Sequence, residues 1–182
     1  MMKDEQGPDM GLIVAWTLAL VMTGYWDGGA AGGAEALRTP QEEIARLEAS
    51  GELPVLEREP TLGGIDANTN GVRDDIERHI EKKYTEPAQR KAAMQTARAF
   101  QQMLLANKDD SVELDRISAN SFRAIVCLND SFASPDASNS ALVLDEVLAM
   151  TTNTEMRRLA YRAYNKARSG TVSTMPRGDT CD

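Results

Sequence analysis

Twelve residues, Asp66-Ala67-Asn68-Thr69-Asn70-Gly71-Val72-Arg73-Asp74-Asp75-Ile76-Glu77, decide how this chain is read. Oxygen-bearing side chains fall at positions 1, 3, 5, 9 and 12 of the stretch, and glycine stands at position 6. Calcium is a hard cation that takes about six to eight oxygen ligands, which a short chain supplies only by curling around the ion. Gly71 provides the sharp turn. Asp66, Asn68 and Asn70 would offer side-chain oxygens, Val72 its backbone carbonyl, and Asp74 an oxygen directly or through water. Glu77 would close the site with two oxygens. Beyond the loop, Ile76, Ile80 and Tyr84 recur at helical spacing, so the loop runs straight into a helix with one buried stripe.

The stretch satisfies the pattern D-x-[DN]-x-[DN]-G-x5-E completely. From Asp66 to about Tyr84 it resembles EF-hand and dockerin-like calcium loops, and the resemblance implies a calcium site. Two departures qualify it. Arg73 holds position 8, where paired EF-hands carry an apolar residue that joins the partner loop. The sequence has no second such loop, and Glu59-Pro60-Thr61-Leu62-Gly63-Gly64-Ile65 cannot make an entering helix. A single static site is therefore expected, not a switch that opens a helix pair. Two ligands are neutral amides, which puts the affinity at the weak end, on the order of 10⁻⁵ to 10⁻³ M. Without metal, Asn-Gly and Asp/Asn-rich runs form turns on their own, and Asp74 with Glu77 makes a capping box. That reading accounts for two residues but not for the alternate spacing of Asp66, Asn68 and Asn70.

Upstream, residues 37–65 read as a short helix and an extended connector. Thr39-Pro40-Gln41-Glu42 is a helix start, with threonine at the cap, proline at the first helical position and glutamate at the third. Ile44 and Leu47 face inward, and Ser50-Gly51 is the stop. Pro54, Pro60, Gly51, Gly63 and Gly64 keep the following stretch extended, with Leu53, Val55, Leu56 and Leu62 pinning it to the core.

At the front of the chain, residues 10–26 (MGLIVAWTLALVMTGYW) form an uncharged apolar run followed by small residues up to Ala36. Such a run before Ala-x-Ala reads as a secretory signal peptide over residues 1–36. Lys3 is outweighed there by Asp4, Glu5 and Asp9, as a mis-assigned start would explain. An uncleaved membrane anchor over residues 10–26 is the alternative, at the short limit for a spanning helix, and a buried helix is a third. The first two place residues 40–182 in the periplasm or outside the cell. Removing residues 1–36 takes away five acids and one lysine, so the net charge of -8 becomes -4. This acidic balance argues against nucleic acid, whose phosphates require clustered Lys and Arg.

Downstream, residues 66–182 read as a helical domain that opens with the loop. Pro87 starts a long helix to about Asn107, with Ala93, Ala97, Phe100 and Leu104 inside. Asp110-Ser111-Val112-Glu113 caps another, with Leu114, Ile117, Ser121, Ile125, Leu128 and Phe132 on one side. Leu144, Val147 and Leu148 mark a fifth. Thr152-Asn153-Thr154-Glu155 caps the last, whose apolar face would be Met156, Leu159, Ala160, Ala163, Tyr164 and Ala167. No stretch alternates as a strand does, so an all-α bundle of about five to six helices is expected.

Cys127 lies within a helix and Cys181 one residue from the end. In an oxidising compartment the pair would form a disulfide and fold the tail back; otherwise Cys127 is a buried thiol and Cys181 an idle one. Leu53-Pro54, the segment Asp66 to Glu77, Asn153-Thr154-Glu155, Ala160-Tyr161 and Tyr164-Asn165 together resemble small bacterial envelope proteins to which no activity is attached. That resemblance implies export.

Catalytic chemistry is not indicated by the sequence. His79, the single histidine, reads as a surface or capping residue, and Cys127 has no histidine near it. Asp109-Asp110 reads as a cap and Asp145-Glu146 as a helix face. Zinc would need more than one histidine and two distant cysteines. Arg157, Arg158, Arg162, Lys166 and Arg168 give the last helix a basic outer side. Its Arg158/Arg162/Lys166 face offers a dock for an acidic partner or an anionic headgroup, with Tyr161 beside it. Two functions follow. One is a non-enzymatic, calcium-stabilised extracytoplasmic domain, structural or partner-binding. The other is an enzyme or accessory subunit whose carboxylates gather in a cleft only in three dimensions.

Overall fold

Thr39 opens the first helix, α1 (Pro40–Ser50), through a reciprocal cap: its Oγ1 accepts from Glu42 N at 3.3 Å, and the Glu42 carboxylate accepts from Thr39 N at 2.7 Å. The pair satisfies two amides that no helical turn can reach. Gly51, at φ 78°, ends α1 in the left-handed conformation that a Cβ disfavours. The computed structural model describes residues 38–133 and 138–182. The apolar run 10–26 and the Ser134-Pro135 connection lie outside the described residues.

The connector after α1 is drawn inward at two points. Leu53 N donates to Leu47 O at 3.0 Å and Leu56 N to Glu48 Oε1 at 2.9 Å, and both leucines are buried. Val55, expected to help, is 81% exposed, and Leu62 is half-buried.

Helix α2 (Asp74–Lys83) buries Ile76 and Ile80, with Tyr84 just past its end, on the expected stripe. Helix α3 (Pro87–Leu105) is the central element. It packs most extensively against α4 (Ser111–Ser131), then against α5 (Ser138–Thr151), α6 (Glu155–Ala167) and α2. Its small residues Ala92, Ala93, Ala97 and Ala99 are all buried, which lets neighbours approach its backbone closely. Gln95, Thr96 and Gln101 are buried on it too. Gln95 donates to Thr180 O at 2.9 Å, Thr96 to Ala92 O at 2.9 Å and Gln101 to Gly63 O at 2.9 Å, since a buried polar group without a partner is costly.

Asp110 caps α4 by accepting from Val112 N and Glu113 N, and Thr154 caps α6 by accepting from Arg157 N. Leu114, Ile117, Ser121 and Leu128 are buried on α4 as expected, with Phe132 buried just past its end, while Ile125 is half-buried and Ala124 takes the inner position. Val143, Val147 and Met150 carry α5 into the core. The described residues thus hold six helices and no strand, an all-α bundle, and Arg38–Asp182 forms one compact unit. None of these helices is long and apolar enough to cross a membrane.

The last helix departs from expectation in part: Tyr164 is buried and Ala160 and Ala167 are half-buried as expected, but the rest of the face is turned outward. Met156, Leu159 and Ala163 are exposed, and the inner side carries Arg157, Tyr164 and, half-buried, Tyr161 and Arg168. Two stripes compete on this helix. The one that won includes two aromatics that meet the core, Tyr161 lying edge-to-face with Phe100 at 6.2 Å.

Cys127 and Cys181 form a disulfide, with Cα atoms 5.0 Å apart. It holds the tail against α3 and α4, where Gln95 bonds both Thr180 O and Asp182 N.

Candidate functional site

The loop from Asp66 to Glu77 curls on its own side chains. Asp66 accepts from Asn70 N through Oδ1 at 3.1 Å and from Gly71 N through Oδ2 at 2.9 Å. Asn68 Oδ1 accepts from Asn70 N at 3.1 Å, and Asn70 Oδ1 accepts from Val72 N at 2.8 Å. Each short polar side chain thus folds onto backbone ahead of it, which is why Asp and Asn suit these positions. Thr69 and Gly71 supply the left-handed turns, at φ 57° and 82°. Gly71 is also crowded: a Cβ there would lie 3.1 Å from Arg98 Cγ.

The side chains at positions 3, 5 and 12 meet, while Asp66 at position 1 turns onto the backbone amides of Asn70 and Gly71. The Glu77 carboxylate, brought up by the first turn of α2, accepts from Asn68 Nδ2 at 3.0 Å and from Asn70 Nδ2 at 2.6 Å. Asp74 does not cap α2 with its side chain. Arg73 is the cap residue and makes no side-chain cap bond, whereas Asp74 Oδ1 accepts from Ala67 N at 3.0 Å and Asp74 N donates to Ile65 O at 2.8 Å. Asp74 therefore ties the two ends of the loop together. The Val72 carbonyl precedes the helical ladder, whose first bond runs from Glu77 N to Arg73 O. Among the described residues no group of three or more His, Cys, Asp or Glu is placed to hold a metal ion. What converges here is carboxylate interleaved with amide.

Arg73, read in sequence as a departure at position 8, is 1% exposed. Its guanidinium grips Asp75 with a two-toothed fork, Nε to Oδ1 at 2.6 Å and Nη2 to Oδ2 at 2.9 Å. It also donates to Met150 O and to Asn153 Oδ1. Arg157, expected on the outer side of α6, is 0% exposed. It donates to Asn153 Oδ1 at 2.8 Å, to Glu57 Oε2 at 2.9 Å and to the carbonyls of Glu57 and Thr61. Two arginines and two carboxylates thus share one buried site, their charges balanced. Burial alone would raise the Asp75 carboxyl, but the Arg73 fork and the amides of Glu57 and Ile76 outweigh it and hold the pKa below the usual range. Arg157 is pushed down from its ordinary value by burial and by the Arg73 charge. Gly64, at φ 67°, lies against this network, and a Cβ there would come within 2.3 Å of Arg73 Cδ and Glu57 Oε2.

A second polar cluster forms on the other side of α2. Glu146 accepts from Lys83 Nζ at 2.6 Å and Tyr84 OH at 2.7 Å, and its Oε1 lies 2.6 Å from His79 Nε2. His79 is thus no surface residue: its side chain is 12% exposed, as is that of Glu146. Burial would raise the Glu146 carboxyl, but the three hydrogen bonds prevail and bring its pKa to about 2. The Tyr84 hydroxyl is pushed up, first by burial and then by its bond to Glu146.

The basic side of α6 is partly consumed. Arg157 is buried, Arg168 reaches Asp115 at 2.5 Å, and Arg158 is tied to Glu155 at 2.6 Å. Arg162 and Lys166 are exposed beside Met156, Leu159 and Ala163. No family model, no curated protein and no solved structure matches this chain.

Proposed function

We propose that this chain is a non-enzymatic helical domain stabilised by calcium, working in the periplasm or outside the cell as a structural or partner-binding module. The meeting of Asn68 and Asn70 with the Glu77 carboxylate, in a loop that Asp66 curls by accepting from Asn70 N and Gly71 N, is the observation that carries this reading. The Asn68 and Asn70 amides now bring N–H donors to the Glu77 carboxylate, the role a cation would play with more charge. Calcium would be held by side-chain oxygens of Asp66, Asn68 and Asn70, the Val72 carbonyl, Asp74 and both oxygens of Glu77. It would fasten the start of α2 to the loop, and through Arg73 to the buried network. The Cys127–Cys181 bridge supports an oxidising compartment.

The alternative is an enzyme or accessory subunit with a cleft of carboxylates. A groove does gather Glu52, Asp145 and Glu146. Glu146, however, stays ionised down to about pH 2 and already faces three partners, so it has no proton to give near neutrality. Binding is the reading this arrangement favours.

A thermal melt in millimolar calcium and in chelator tests it. At 100 times the dissociation constant, a ligand bound only by the folded form adds about 2.7 kcal/mol. Coincident melts would reduce the loop to a turn. Intact mass of the recovered protein checks export, by loss of the first thirty-odd residues.

A further inference from the structure

Residues 171–182 form no helix or strand. Val172 is 93% exposed and Met175 53%, so apolar burial does little to hold this tail. Side chains of α3 and α4 hold it instead. Ser118 Oγ lies 3.3 Å from Ser173 Oγ, Arg123 donates to Asp179 O at 3.3 Å, and Gln95 bonds Thr180 O and Asp182 N. Each is a single hydrogen bond with a small net worth in water. The covalent bond between Cys127 and Cys181 is what keeps the segment in place. Its two ends differ: Cys127 is 1% exposed on α4, whereas Cys181 is exposed.

One residue beyond Cys181, the tail meets the calcium loop through Arg98. Asp182 Oδ2 accepts from Arg98 Nη1 at 2.8 Å, and Nε of the same guanidinium donates to the Asn70 carbonyl at 3.0 Å. The next amide, Gly71 N, donates to Asp66 Oδ2 at 2.9 Å. The peptide group between Asn70 and Gly71 is therefore held from both sides, by Arg98 on its oxygen and by Asp66 on its nitrogen. Asp66 and Asn70 are two of the oxygen donors assigned above to calcium. The Arg98 side chain is 34% exposed, so without Asp182 its head is free to turn into water and slacken its hold on the loop.

We propose that the Cys127–Cys181 disulfide sets the calcium affinity of the loop, and that a protein dithiol of the Cys-x-x-Cys kind lowers this affinity by releasing the tail. This device rests on the calcium reading above, whose site it regulates. A thiolate of the dithiol attacks the sulfur of Cys181, the more accessible end. The S–S bond breaks, and its electron pair leaves on the Cys127 sulfur, which takes up a proton. The second thiolate of the dithiol then attacks the mixed disulfide and expels Cys181, which is protonated in turn. Two electrons and two protons reach the protein, and the dithiol ends as a disulfide. Gln95 then loses its two tail partners and Arg98 its counter-charge. By reciprocity, calcium must protect the bridge as much as the bridge strengthens calcium binding.

The test titrates calcium by calorimetry into the full-length recombinant protein, oxidised and then reduced with dithiothreitol. Reduction should weaken binding by about fivefold. Saturating calcium should make the bridge harder to reduce by the same factor, about 20 mV for this two-electron couple. Arg98→Met should bind calcium equally in both redox states, because the link is already cut. Equal affinity of the oxidised and reduced wild-type protein would overturn the proposal. A redox dependence that survives Arg98→Met would overturn it too, by showing general loosening in place of this path. Asp182→Asn keeps the bridge and hence the fold, and should weaken calcium binding by about threefold, the scale of an exposed ion pair. If reduction melts the helices, unchanged affinity in this variant overturns the proposal. A calcium-free arm separates the two readings: in chelator, amide exchange at Gly71 should quicken by about fivefold on reduction. Quickened exchange with no calcium bound by the oxidised protein would strike the metal site, whereas calcium bound with unchanged exchange would strike the coupling alone.

Discussion

Arg98 donates from Nε to the Asn70 carbonyl at 3.0 Å, and the Nη1 of the same guanidinium lies 2.8 Å from Asp182 Oδ2. One side chain of α3 thus links the loop to the tail that Cys181 holds in place. Arg98→Met should loosen the loop and lower calcium affinity by about fivefold, the loss of one charge-assisted hydrogen bond in a partly solvated setting. Calorimetric titration reads it directly. Removing the bridge through Cys127→Ser with Cys181→Ser should cost about 4 kcal/mol by chain entropy alone, seen as a lower denaturation midpoint. Calcium affinity equal to wild type in both variants would show that tail and loop are uncoupled.

The loop predicts opposite effects from two kinds of substitution. Asp66→Ala or Glu77→Ala should abolish the calcium-dependent rise in melting temperature while leaving helix content largely intact. Asn68→Asp adds an acid facing Glu77, replacing the Nδ2 donor that now lies 3.0 Å from it. The variant should melt lower than wild type in chelator, from carboxylate repulsion, and gain more from calcium, whose charge relieves it. Identical behaviour of Asn68→Asp and wild type in calcium would argue against an ion at this position.

The buried ion network should be sensitive to loss of one member. Arg157→Met leaves the Glu57 carboxylate without its 2.9 Å partner and Asn153 without one of its two arginine donors. An uncompensated charge of this kind costs about 3–5 kcal/mol. Chemical denaturation should show that loss, whereas Lys166→Met on the exposed side of the same helix should change stability by about 0.5 kcal/mol or less.

Acid should weaken the fold through Glu146. Its folded pKa, about 2, lies below the ordinary value of 4.5. A carboxyl depressed on folding adds stability that is complete above the unfolded pKa and disappears as pH falls through the folded one. The loss therefore runs from about pH 4.5 down to pH 2 and amounts to about 3 kcal/mol. Glu146→Gln should lower stability at pH 7 and flatten this acid limb. It should not remove it, because Asp75 is also held below its usual range. A stability–pH curve of unchanged slope in Glu146→Gln would refute the assignment.

Much of the architecture was written in signals that act over five residues or fewer. The Thr39–Glu42 box, the Asp110 and Thr154 caps, Gly51 and the prolines at 40 and 87 set helix ends by local hydrogen bonding and local sterics, so they could be read directly. The turn of the loop was legible for the same reason. Asp66, Asn68 and Asn70 bond backbone two to five residues ahead, and the alternate spacing encodes that reach.

Tertiary structure alone decided which charges are buried. An arginine in sequence reads as solvated, because burying it requires partners that local pattern does not reveal. Arg73 finds Met150 and Asn153 from more than seventy residues away, and Arg157 finds Glu57 at a separation of one hundred. Once those bonds exist, they turn α6 so that Met156 and Leu159 face water, contrary to their hydrophobicity. The same holds for Glu146, whose three partners lie more than sixty residues upstream, and for Cys127 with Cys181. Local chemistry fixed where each helix starts and stops; only the packing of distant segments could supply the counter-charges that determine which side of it faces inward.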